Sequence, residues 1–417
     1  MNIAIIGAGA AGCFAAINLK RLCPQAAVTI YESGRRPLAK VSVTGGGRCN
    51  LTNTFEGVKS ADEAYPRGAR LMRRLLRHFS QDDAMRWFES EGVRLTVQSD
   101  HCVFPASQDA MEIVGTLLRL VRRLGISLIT ERRVARISRC DGTGGGAFRI
   151  EFAGGGAAAA RADMVLVATG GTKASTLREM LAGSGAEIED TVPSLFSLCL
   201  ADAGLRELAG TVVKDATAAI SGTKHKAAGP LLVTHWGVSG PAILKLSARA
   251  ARHLHGCGYQ ATLSVNWNGG RGEAETMETL AAIAADCPKR QLASAHPPQI
   301  GARLWQHLLA KSGLRPDCRW GETGRKSLNK LVSTLTNDTY AVNGKCRFKE
   351  EFVTCGGVSL ASVSASTMEC KTCPGLFFAG EATDIDGITG GFNLQAAWTT
   401  ARVAAEAMAA RCAAGRG

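Results

Sequence analysis

Three glycines near the start of the chain are spaced as a phosphate-binding turn. Gly7, Gly9 and Gly12 follow the uncharged apolar run 3–6 and lead into a small-residue segment, 10–19. In this G-x-G-x-x-G spacing the glycines permit a tight turn, close approach to a pyrophosphate and close packing of helix on strand. Amide groups at the helix N-terminus then attract phosphate oxygens. The predicted phosphate contacts are the backbones of Gly7, Gly9, Ala10, Ala11 and Gly12.

One acid stands where the ribose of a dinucleotide is expected. Glu32 ends a second apolar segment, 27–31, twenty positions after Gly12. A carboxylate at this place accepts hydrogen bonds from ribose hydroxyls and disfavours a 2′-phosphate. The pattern therefore favours FAD or NAD over NADP at this first site.

A glycine-rich polar stretch, 40–53, is predicted to be a loop that faces the ligand. Three consecutive glycines leave backbone amides accessible, and a cation, a thiol and an amide follow them. A flexible linker is the alternative, and Arg48 could instead be a surface cation. The candidate cofactor contacts in this stretch are Lys40, Gly46, Gly47, Arg48, Cys49 and Asn50.

Two later segments return the chain to the same kind of site. Residues 164–171 have the pattern of a buried strand and a glycine turn, which places Thr169 and Gly170 near the ligand. Residues 375–387 form another apolar strand that ends in glycine and acids, and an alanine-rich helix follows. Its N-terminal dipole would stabilise negative charge on a reduced flavin.

These later segments favour FAD over NAD, because a dehydrogenase that binds only NAD would not need them. A distant acid suits the ribityl hydroxyls of FAD, and Asp386 is preferred over Glu381 for this role. The remaining candidates act through the backbone, and they are Gly380, Gly391, Phe392 and Asn393.

Composition indicates a globular protein outside the membrane. The chain has 417 residues, 46% of them hydrophobic, without an apolar run long enough to cross a bilayer. We expect a cytoplasmic protein with no metal site, in which the fourteen scattered cysteines are mostly free thiols. Cys370 and Cys373 form the only C-x-x-C, which is better explained by coincidence than by zinc or redox chemistry, and whether the two pair is left open.

The net charge of +13 leaves several partners open. Much of it lies in the segments 67–77 and 119–136, which have the pattern of basic outer faces. They could be solvated surface, or they could attract an anionic cofactor, an acidic substrate or RNA. Charge alone does not choose among these partners, and the oligomeric state is equally open.

The motifs together resemble a known family of bacterial flavoproteins. The resemblance is carried by the segments 45–53, 168–171, 234–241, 353–358, 367–371 and 380–395. They are similar to the BaiN/RdsA-type NAD(P)/FAD-dependent oxidoreductases, which include the aminoacetone-oxidase-like enzymes. Cys370 departs from the family pattern, since a serine is usual there.

The resemblance implies an α/β fold whose Rossmann-like, glutathione-reductase-type FAD domain is built from both chain ends. It also implies an inserted β-barrel-like domain that itself contains a small helical domain. The expected boundaries are 1–190 and 353–417 for the FAD domain, 191–272 and 336–352 for the barrel, and 273–335 for the helices. Backbone at Val134 is expected near adenine by the same analogy.

The activity implied is non-covalent FAD chemistry on a small molecule, with NAD(P)H as a transient reductant. The substrate stays open between oxidation of a small amine and reduction of an activated double bond. An FAD-dependent enzyme that modifies RNA such as tRNA, and a non-catalytic flavin-binding protein, are the alternatives. The sequence favours a small molecule over nucleic acid without excluding the latter. The catalytic group is unassigned, with His235, Arg48 and Cys49 as candidates.

Overall fold

The computed structural model describes residues 1–140, 147–154, 156–346 and 353–414. The chain divides into two units, residues 1–192 with 349–417 and residues 193–348. The first unit is therefore assembled from both ends of the chain, with the second inserted between them. This arrangement confirms the predicted α/β architecture, while the finer domain boundaries stay a prediction, and residues 347–352 of the segment 336–352 lie outside the described ranges.

The helices fall mostly in the first unit and in the later part of the second. They are α1 Ala10–Leu22, α2 Ala39–Gly47, α3 Ala61–Ala64, α4 Ala69–Leu75, α5 Gln81–Ser90, α6 Ala110–Arg123, α7 Ala174–Met180, α8 Ala203–Arg206, α9 Pro241–Arg249, α10 Ala251–Gly256, α11 Glu273–Asp286, α12 Ala302–Lys311, α13 Arg325–Thr336 and α14 Phe392–Ala414. None of these helices in the described ranges combines the length and apolarity that a bilayer crossing requires.

The strands form one parallel sheet, one barrel and several small antiparallel sheets. They are β1 Asn2–Ile6, β2 Ala27–Tyr31, β3 Thr52–Asn53, β4 Leu95–Val97, β5 Cys102–Pro105, β6 Ser127–Ile129, β7 Val134–Arg139, β8 Phe148–Phe152, β9 Ala160–Ala162, β10 Met164–Val167, β11 Ile188–Ser194, β12 Leu198–Leu200, β13 Val212–Ile220, β14 Lys226–Thr234, β15 Gly237–Ser239, β16 Ala261–Asn266, β17 Asp338–Lys345, β18 Val353–Val358 and β19 Leu376–Phe378.

The first unit is built on a five-stranded parallel sheet with the order β19-β10-β1-β2-β6. Ile5 of the central strand β1 lies opposite Leu166 of β10 and Ile30 of β2. All three side chains are fully buried, as expected for strands covered on both faces. The carboxyl ends of β1, β2, β10 and β19 lie at one edge, where parallel sheets of this type bind their ligands.

Helices α1 and α14 pack together against this sheet. Small side chains allow the close approach, and residues 11–19 of α1 are buried throughout. Beside them an aromatic cluster fills the space towards α5, with Phe14 lying 4.6 Å from Trp87 and 5.3 Å from Trp398 between ring centroids. The first and last helices of the chain thus share one core.

Three small sheets surround the parallel sheet, with the strand orders β3-β5-β4, β7-β8-β9 and β11-β18. The first contains the end of the glycine-rich stretch, since Thr52 pairs with Val103 and Asn53 with Cys102. The second is an antiparallel meander that starts at Val134. These sheets lead the chain back to the edge of the parallel sheet at several points.

The second unit contains a closed antiparallel barrel of strand order β12-β15-β14-β13-β16-β17. In β13, Ala216, Ala218 and Ile220 are buried at alternate positions, and a register shift between Val213 and Ala216 keeps Val213 buried as well. Between β16 and β17 the chain forms α11, α12 and α13. The predicted barrel-like insertion and the helical segment within it are therefore both present.

Candidate cofactor site

The turn after β1 has the shape that its glycine spacing predicts. Gly7 has a left-handed φ of +107°, and a Cβ there would lie 2.4 Å from the Ala168 carbonyl oxygen. A Cβ on Gly12 would lie only 1.9 Å from the Gly7 carbonyl oxygen, whereas one on Gly9 would meet no atom of the described chain within 4 Å. Gly7 and Gly12 are thus required for packing, and Gly9 keeps the surface of the turn open.

The N-terminus of α1 offers donors to an anion at this open surface. Gly9 is the N-cap in extended conformation, and within the described residues no side chain caps the helix there. The first amides of a helix have no partner within the helix, and the dipole makes this end positive. No acid lies in the first turn to oppose a phosphate. The backbone of Ala10 and Ala11 thus fits the diphosphate of a dinucleotide.

Glu32 stands beside the same turn. Its carboxylate accepts hydrogen bonds from the amides of Ala8 at 2.8 Å and Gly34 at 2.7 Å, which fix its position at the end of β2. The Glu32 carbonyl oxygen accepts from the Arg132 amide at 2.7 Å, two residues before Val134 begins β7. Two predicted residues, the ribose acid and Val134, are thereby brought to one side of the glycine turn.

The stretch predicted as a loop is helical in its first part, which corrects that expectation. Residues 39–47 form α2, whose regular geometry breaks at Thr44 and passes through left-handed Gly45 and Gly46. The Leu38 amide donates to the Ala8 carbonyl oxygen at 2.8 Å, which anchors the start of α2 at the glycine turn. A Cβ on Gly46 or Gly47 would meet nothing of the described chain within 4 Å, so these two predicted contacts lie at an open surface.

The three polar residues after these glycines differ in what they can reach. The Arg48 guanidinium is 4.4 Å from the Phe104 ring centroid and donates through Nε to the Gly45 carbonyl oxygen at 3.1 Å. The Arg48 side chain is exposed, which is consistent with the alternative prediction that it is a surface cation. Cys49 is completely buried, and this burial raises its pKa to about 12. Such a thiol has no accessible surface for a substrate, and the structure gives no support to Cys49 as a catalytic group.

Asn50 joins the glycine-rich stretch to the C-terminal half of the site. In the amide orientation that satisfies both atoms, it donates to the Thr52 carbonyl oxygen at 3.0 Å and accepts from the Gly391 amide at 3.2 Å. Gly391 is pressed against the same segment, since its Cβ would lie 2.3 Å from that carbonyl oxygen. Asn53 donates to the Gly390 carbonyl oxygen at 3.0 Å. Residues 50–53 and 390–391, far apart in sequence, thus form one wall.

The N-terminus of α14 follows directly on this wall. Phe392 is its first residue, and its carbonyl oxygen accepts a hydrogen bond from the Tyr65 hydroxyl at 2.9 Å. The Asn393 side chain bonds both the amide and the carbonyl oxygen of Gly387, which holds the preceding turn closed. The predicted group Gly391, Phe392 and Asn393 is therefore a rigid helix start.

Glu381 lies where the end of β10 meets the end of β19. Its carboxylate accepts from the Thr354 amide at 2.8 Å and from Lys40 Nζ at 2.9 Å. A Cβ on Gly170 would be 3.6 Å from the same carboxylate, so Glu381 brings Lys40 and the predicted 169–170 turn together. Its side chain is 21% exposed, whereas that of Asp386 is completely buried.

Gly380 ties this acid to the N-terminal half. Its φ is +63°, and a Cβ there would lie 2.9 Å from the Cβ of Ala11 in α1. The Gly380 amide donates to the Thr400 hydroxyl of α14 at 2.8 Å. The two glycine turns and both helices therefore meet around one edge of the parallel sheet.

Asp386, the acid that the sequence favours for the ribityl hydroxyls, has an internal partner. Its side chain is completely buried, and Arg67 bonds both of its carboxylate oxygens through Nε and a terminal nitrogen. A carboxylate enclosed in this way has no accessible surface for ribityl hydroxyls. Which acid serves the ribityl hydroxyls stays a prediction, and the burial of Asp386 against an arginine 319 residues away favours Glu381 for this role.

His235, the remaining catalytic candidate, belongs to the second unit. It is exposed in the turn between β14 and β15 of the barrel. Its participation in catalysis stays a prediction.

The two basic segments predicted as outer faces are partly neutralised. Arg67 is engaged by Asp386 and Arg123 by the Glu91 carboxylate, whereas Arg119 donates to the Glu91 backbone carbonyl oxygen and keeps its charge unpaired with that acid. A further basic surface lies on the barrel, and the sequence analysis did not predict it. The signal was visible, because residues 216–272 contain no aspartate or glutamate.

The cysteines carry no disulfide in the described chain. Cys370 and Cys373 are both buried as free thiols, and burial raises the pKa of Cys373. Within the described ranges no group of three or more histidine, cysteine or acidic side chains is placed to hold a metal ion.

Comparisons with known proteins find relatives along nearly the whole chain. The family model "HI0933-like protein Rossmann domain" matches residues 1–407. The chain is 27% identical to the 3-dehydro-bile acid delta(4,6)-reductase of Clostridium scindens, covering 98% of this chain and 99% of the relative. It is 28% identical to the ribosomal RNA dihydrouridine synthase of Escherichia coli, covering 96% of each.

A solved structure shows the same fold. The 3-ketosteroid delta1-dehydrogenase of Sterolibacterium denitrificans superposes with a TM-score of 0.52 at 12% identity, over 98% of this chain and 99% of that one. At this identity the likeness concerns the fold alone.

Proposed function

The chain belongs to the HI0933-like family of FAD-dependent oxidoreductases, and we propose that it reduces an activated carbon–carbon double bond. The proposal is supported by the printed activities of two relatives. A bile acid delta(4,6)-reductase and a dihydrouridine synthase both saturate a double bond that is conjugated with a carbonyl group. The shared chemistry favours reduction over amine oxidation for this chain.

The observation that supports FAD most directly is the meeting of two glycine turns in one unit. Gly9 leaves an open surface beside the N-terminus of α1, and Gly391 presents the N-terminus of α14 next to residues 50–53. Two positive helix ends suit a cofactor that carries a diphosphate at one place and gains negative charge at another. When bound, FAD supplies the acceptor and donor of hydride.

Each part of the first unit then has a role toward the cofactor. The backbone of residues 9–12 would hold the diphosphate, and Glu32 the adenosine ribose. Glu381 is the proposed acid for the ribityl hydroxyls in place of Asp386, since its side chain is partly exposed and that of Asp386 is buried. The wall of residues 50–53 and 390–391 would enclose the flavin half. NAD(P)H is the proposed source of electrons, and a cytoplasmic location belongs to the same proposal.

RNA is a second candidate substrate, because one surface of the barrel is strongly basic. The hairpin between β13 and β14 presents Lys224 and Lys226, and Arg249 of α9 donates to the Lys226 carbonyl oxygen at 2.7 Å. Arg252 and His253 of α10 continue this surface, and the His253 ring centroid is 6.0 Å from that of His225. We call these residues, 224–226 with 249, 252 and 253, the barrel basic surface. Cations and rings together suit a phosphate backbone with exposed bases.

Anaerobic stopped-flow absorbance tests the direction of the reaction. FAD-loaded protein is reduced and then mixed with conjugated enones, with uridine-containing RNA, or with saturated ketones as the control. The proposal expects reoxidation by the conjugated acceptors and none by the saturated ketones. If none of these acceptors reoxidises the reduced flavin, and small amines bleach the oxidised flavin, the proposed reaction would be amine oxidation instead of double-bond reduction.

A further inference from the structure

The turn that precedes α14 is held from one side by the segment 65–68. The Tyr65 hydroxyl donates to the Phe392 carbonyl oxygen at 2.9 Å, and the backbones of Arg67 and Asp386 form an antiparallel bridge. A Cβ on Gly68 would be 2.8 Å from the Ile385 side chain, so the segments lie in close contact. Three kinds of contact thus converge on residues 385–392.

The side-chain pair of Arg67 and Asp386 lies at the centre of these contacts. The Asp386 side chain is completely buried and that of Arg67 is 15% exposed. Two ions removed from water cost free energy unless their geometry is good, and here both carboxylate oxygens are engaged by the guanidinium. Burial opposes the charge on Arg67, but its hydrogen bond and attraction to Asp386 outweigh burial and raise its pKa.

The pairing also determines the charge near the N-terminus of α14. No acid lies in the first turn of this helix. Asp386 adjoins Gly387, whose amide and carbonyl oxygen are bonded by the Asn393 side chain in that first turn. An unpaired carboxylate beside this turn would oppose the positive end of the helix dipole. Because Arg67 neutralises the Asp386 carboxylate, no anion among the described residues of the turn opposes the positive end of the α14 dipole.

The adenine half of the site is independent of this pair. Its turn is held by the packing of Gly7 against Ala168 and of Gly12 against Gly7. Glu32 is fixed by backbone amides of residues 8 and 34. None of these contacts involves residues 65–68 or 385–392.

We propose that Arg67 is a positioning residue which, through Asp386, fixes the start of α14 and thereby sets the affinity and reduction potential of bound FAD. This inference rests on the proposed FAD site. Reduced FAD carries more negative charge than oxidised FAD, so an uncompensated helix N-terminus favours the reduced form. The two members of the pair should therefore act on the potential in opposite directions.

The test compares Arg67→Gln and Asp386→Asn with the wild-type holoprotein. Arg67→Gln leaves a buried anion near the helix end and should lower the midpoint potential, while Asp386→Asn leaves a cation and should raise it. The expected size is a roughly tenfold change in the ratio of affinities for reduced and oxidised FAD, which is about 30 mV for a two-electron couple. FAD should bind at least tenfold more weakly to both variants, and ADP, as a probe of the adenine half, should bind as to wild type.

Two milder variants keep the test decisive if the first pair folds poorly. Arg67→Lys retains the charge and loses the two-pronged contact, so it should weaken FAD binding while leaving the potential near that of wild type. Tyr65→Phe removes one hydrogen bond of about 1 kcal/mol to the same helix start and should weaken FAD binding about fivefold.

If the midpoint potential shifts in the same direction in Arg67→Gln and Asp386→Asn, the inference is overturned. An equal loss of FAD and ADP binding would also overturn it, because it indicates general disruption of the fold. Unchanged FAD affinity in Arg67→Lys and Tyr65→Phe would overturn it as well. Wild-type protein that binds ADP but no FAD would instead refute the proposed function. The two failures are therefore distinguishable.

Discussion

Arg67 binds both carboxylate oxygens of Asp386, and the pair joins segments 319 residues apart in sequence. The acid belongs to the turn before α14, and the arginine follows the short helix α3. The pair therefore connects the two chain ends from which the first unit is built. It also leaves Glu381, bonded by Lys40 and the Thr354 amide, as the accessible acid of the C-terminal motif.

The two glycines of the first turn should respond differently to alanine. Gly9→Ala adds a methyl group to an open surface, so the protein should fold with wild-type thermal stability and bind FAD at least tenfold more weakly. Gly12→Ala forces a Cβ against the Gly7 carbonyl oxygen and should lower the melting temperature itself. Differential scanning fluorimetry without added FAD, followed by FAD titration, separates the two effects. Wild-type FAD affinity in Gly9→Ala would argue against a diphosphate at this turn.

Glu381→Gln tests which acid serves the cofactor. The amide oxygen can still accept from the Thr354 amide, but the charge that attracts Lys40 and ligand hydroxyls is lost. Charge-assisted hydrogen bonds are worth about 1.5–3 kcal/mol, so FAD should bind roughly tenfold more weakly or worse. Glu179→Gln, an exposed acid of α7, is the matched control and should bind FAD normally. Equal affinities in the two variants would remove Glu381 from the site.

The Cys49 thiol should be unreactive in the folded protein. Burial raises its pKa to about 12, so thiolate is scarce at pH 8, and no accessible surface admits a reagent. Iodoacetamide should label Cys49 only after unfolding, as read by peptide mass spectrometry, with half-exposed Cys318 as the internal control that labels in the folded state. Rapid labelling of Cys49 in the native protein would restore it as a catalytic candidate.

Glu406 should make the stability depend on pH on the acid side. Burial opposes its ionisation, but hydrogen bonds from His78 and Arg402 outweigh burial and lower its pKa from 4.5. A lowered carboxyl pKa stabilises the fold above the unfolded value, and this stabilisation is lost as pH falls through the folded value. The urea midpoints of wild type and Glu406→Gln should therefore differ at pH 6 and converge as the pH falls well below the ordinary glutamate value of 4.5. If the difference in urea midpoint stays constant over this pH range, Glu406 is not the source of the pH dependence.

The barrel basic surface should bind RNA through its charge. Replacing Lys224, Lys226 and Arg252 by glutamine should weaken RNA binding at least tenfold and reduce the salt dependence of the affinity, since each phosphate contact releases counterions. The control variant replaces Lys289, Lys326 and Lys330, which are exposed cations of the helical segment. Filter binding at several salt concentrations distinguishes the sets. If both variants lose RNA affinity equally, the protein attracts RNA by net charge alone, and RNA is no longer a candidate substrate.

The fold was predictable because its signals are local. Apolar runs such as 3–6 and 164–167, each ending at a glycine turn, are typical of buried strands, and the spacing of Gly7, Gly9 and Gly12 indicates both a turn and the helix after it. The barrel and its helical insertion were implied by family resemblance, because short alternating strands do not by themselves specify how a barrel closes.

The features of the site that the sequence did not indicate depend on partners that are distant in sequence. Nothing local to Asp386 indicates that Arg67 will bind it, and nothing local to Cys49 indicates complete burial. The first part of the stretch 40–53 was mistaken for a loop, because its three glycines obscured the helical residues before them. The basic surface of the barrel was visible as an acid-free run, but its cations cluster only when the hairpin packs beside α9 and α10.

The central claim, a split site that binds FAD, is tested most directly by titrating the purified protein with FAD. Flavin absorbance and quenching of flavin fluorescence report binding, and circular dichroism confirms that the protein is folded. The account predicts saturation at one FAD per chain, with loss of affinity in Gly9→Ala at the N-terminal turn and in Arg67→Gln at the C-terminal one. Folded wild-type protein that neither contains nor binds FAD would contradict the account at its foundation.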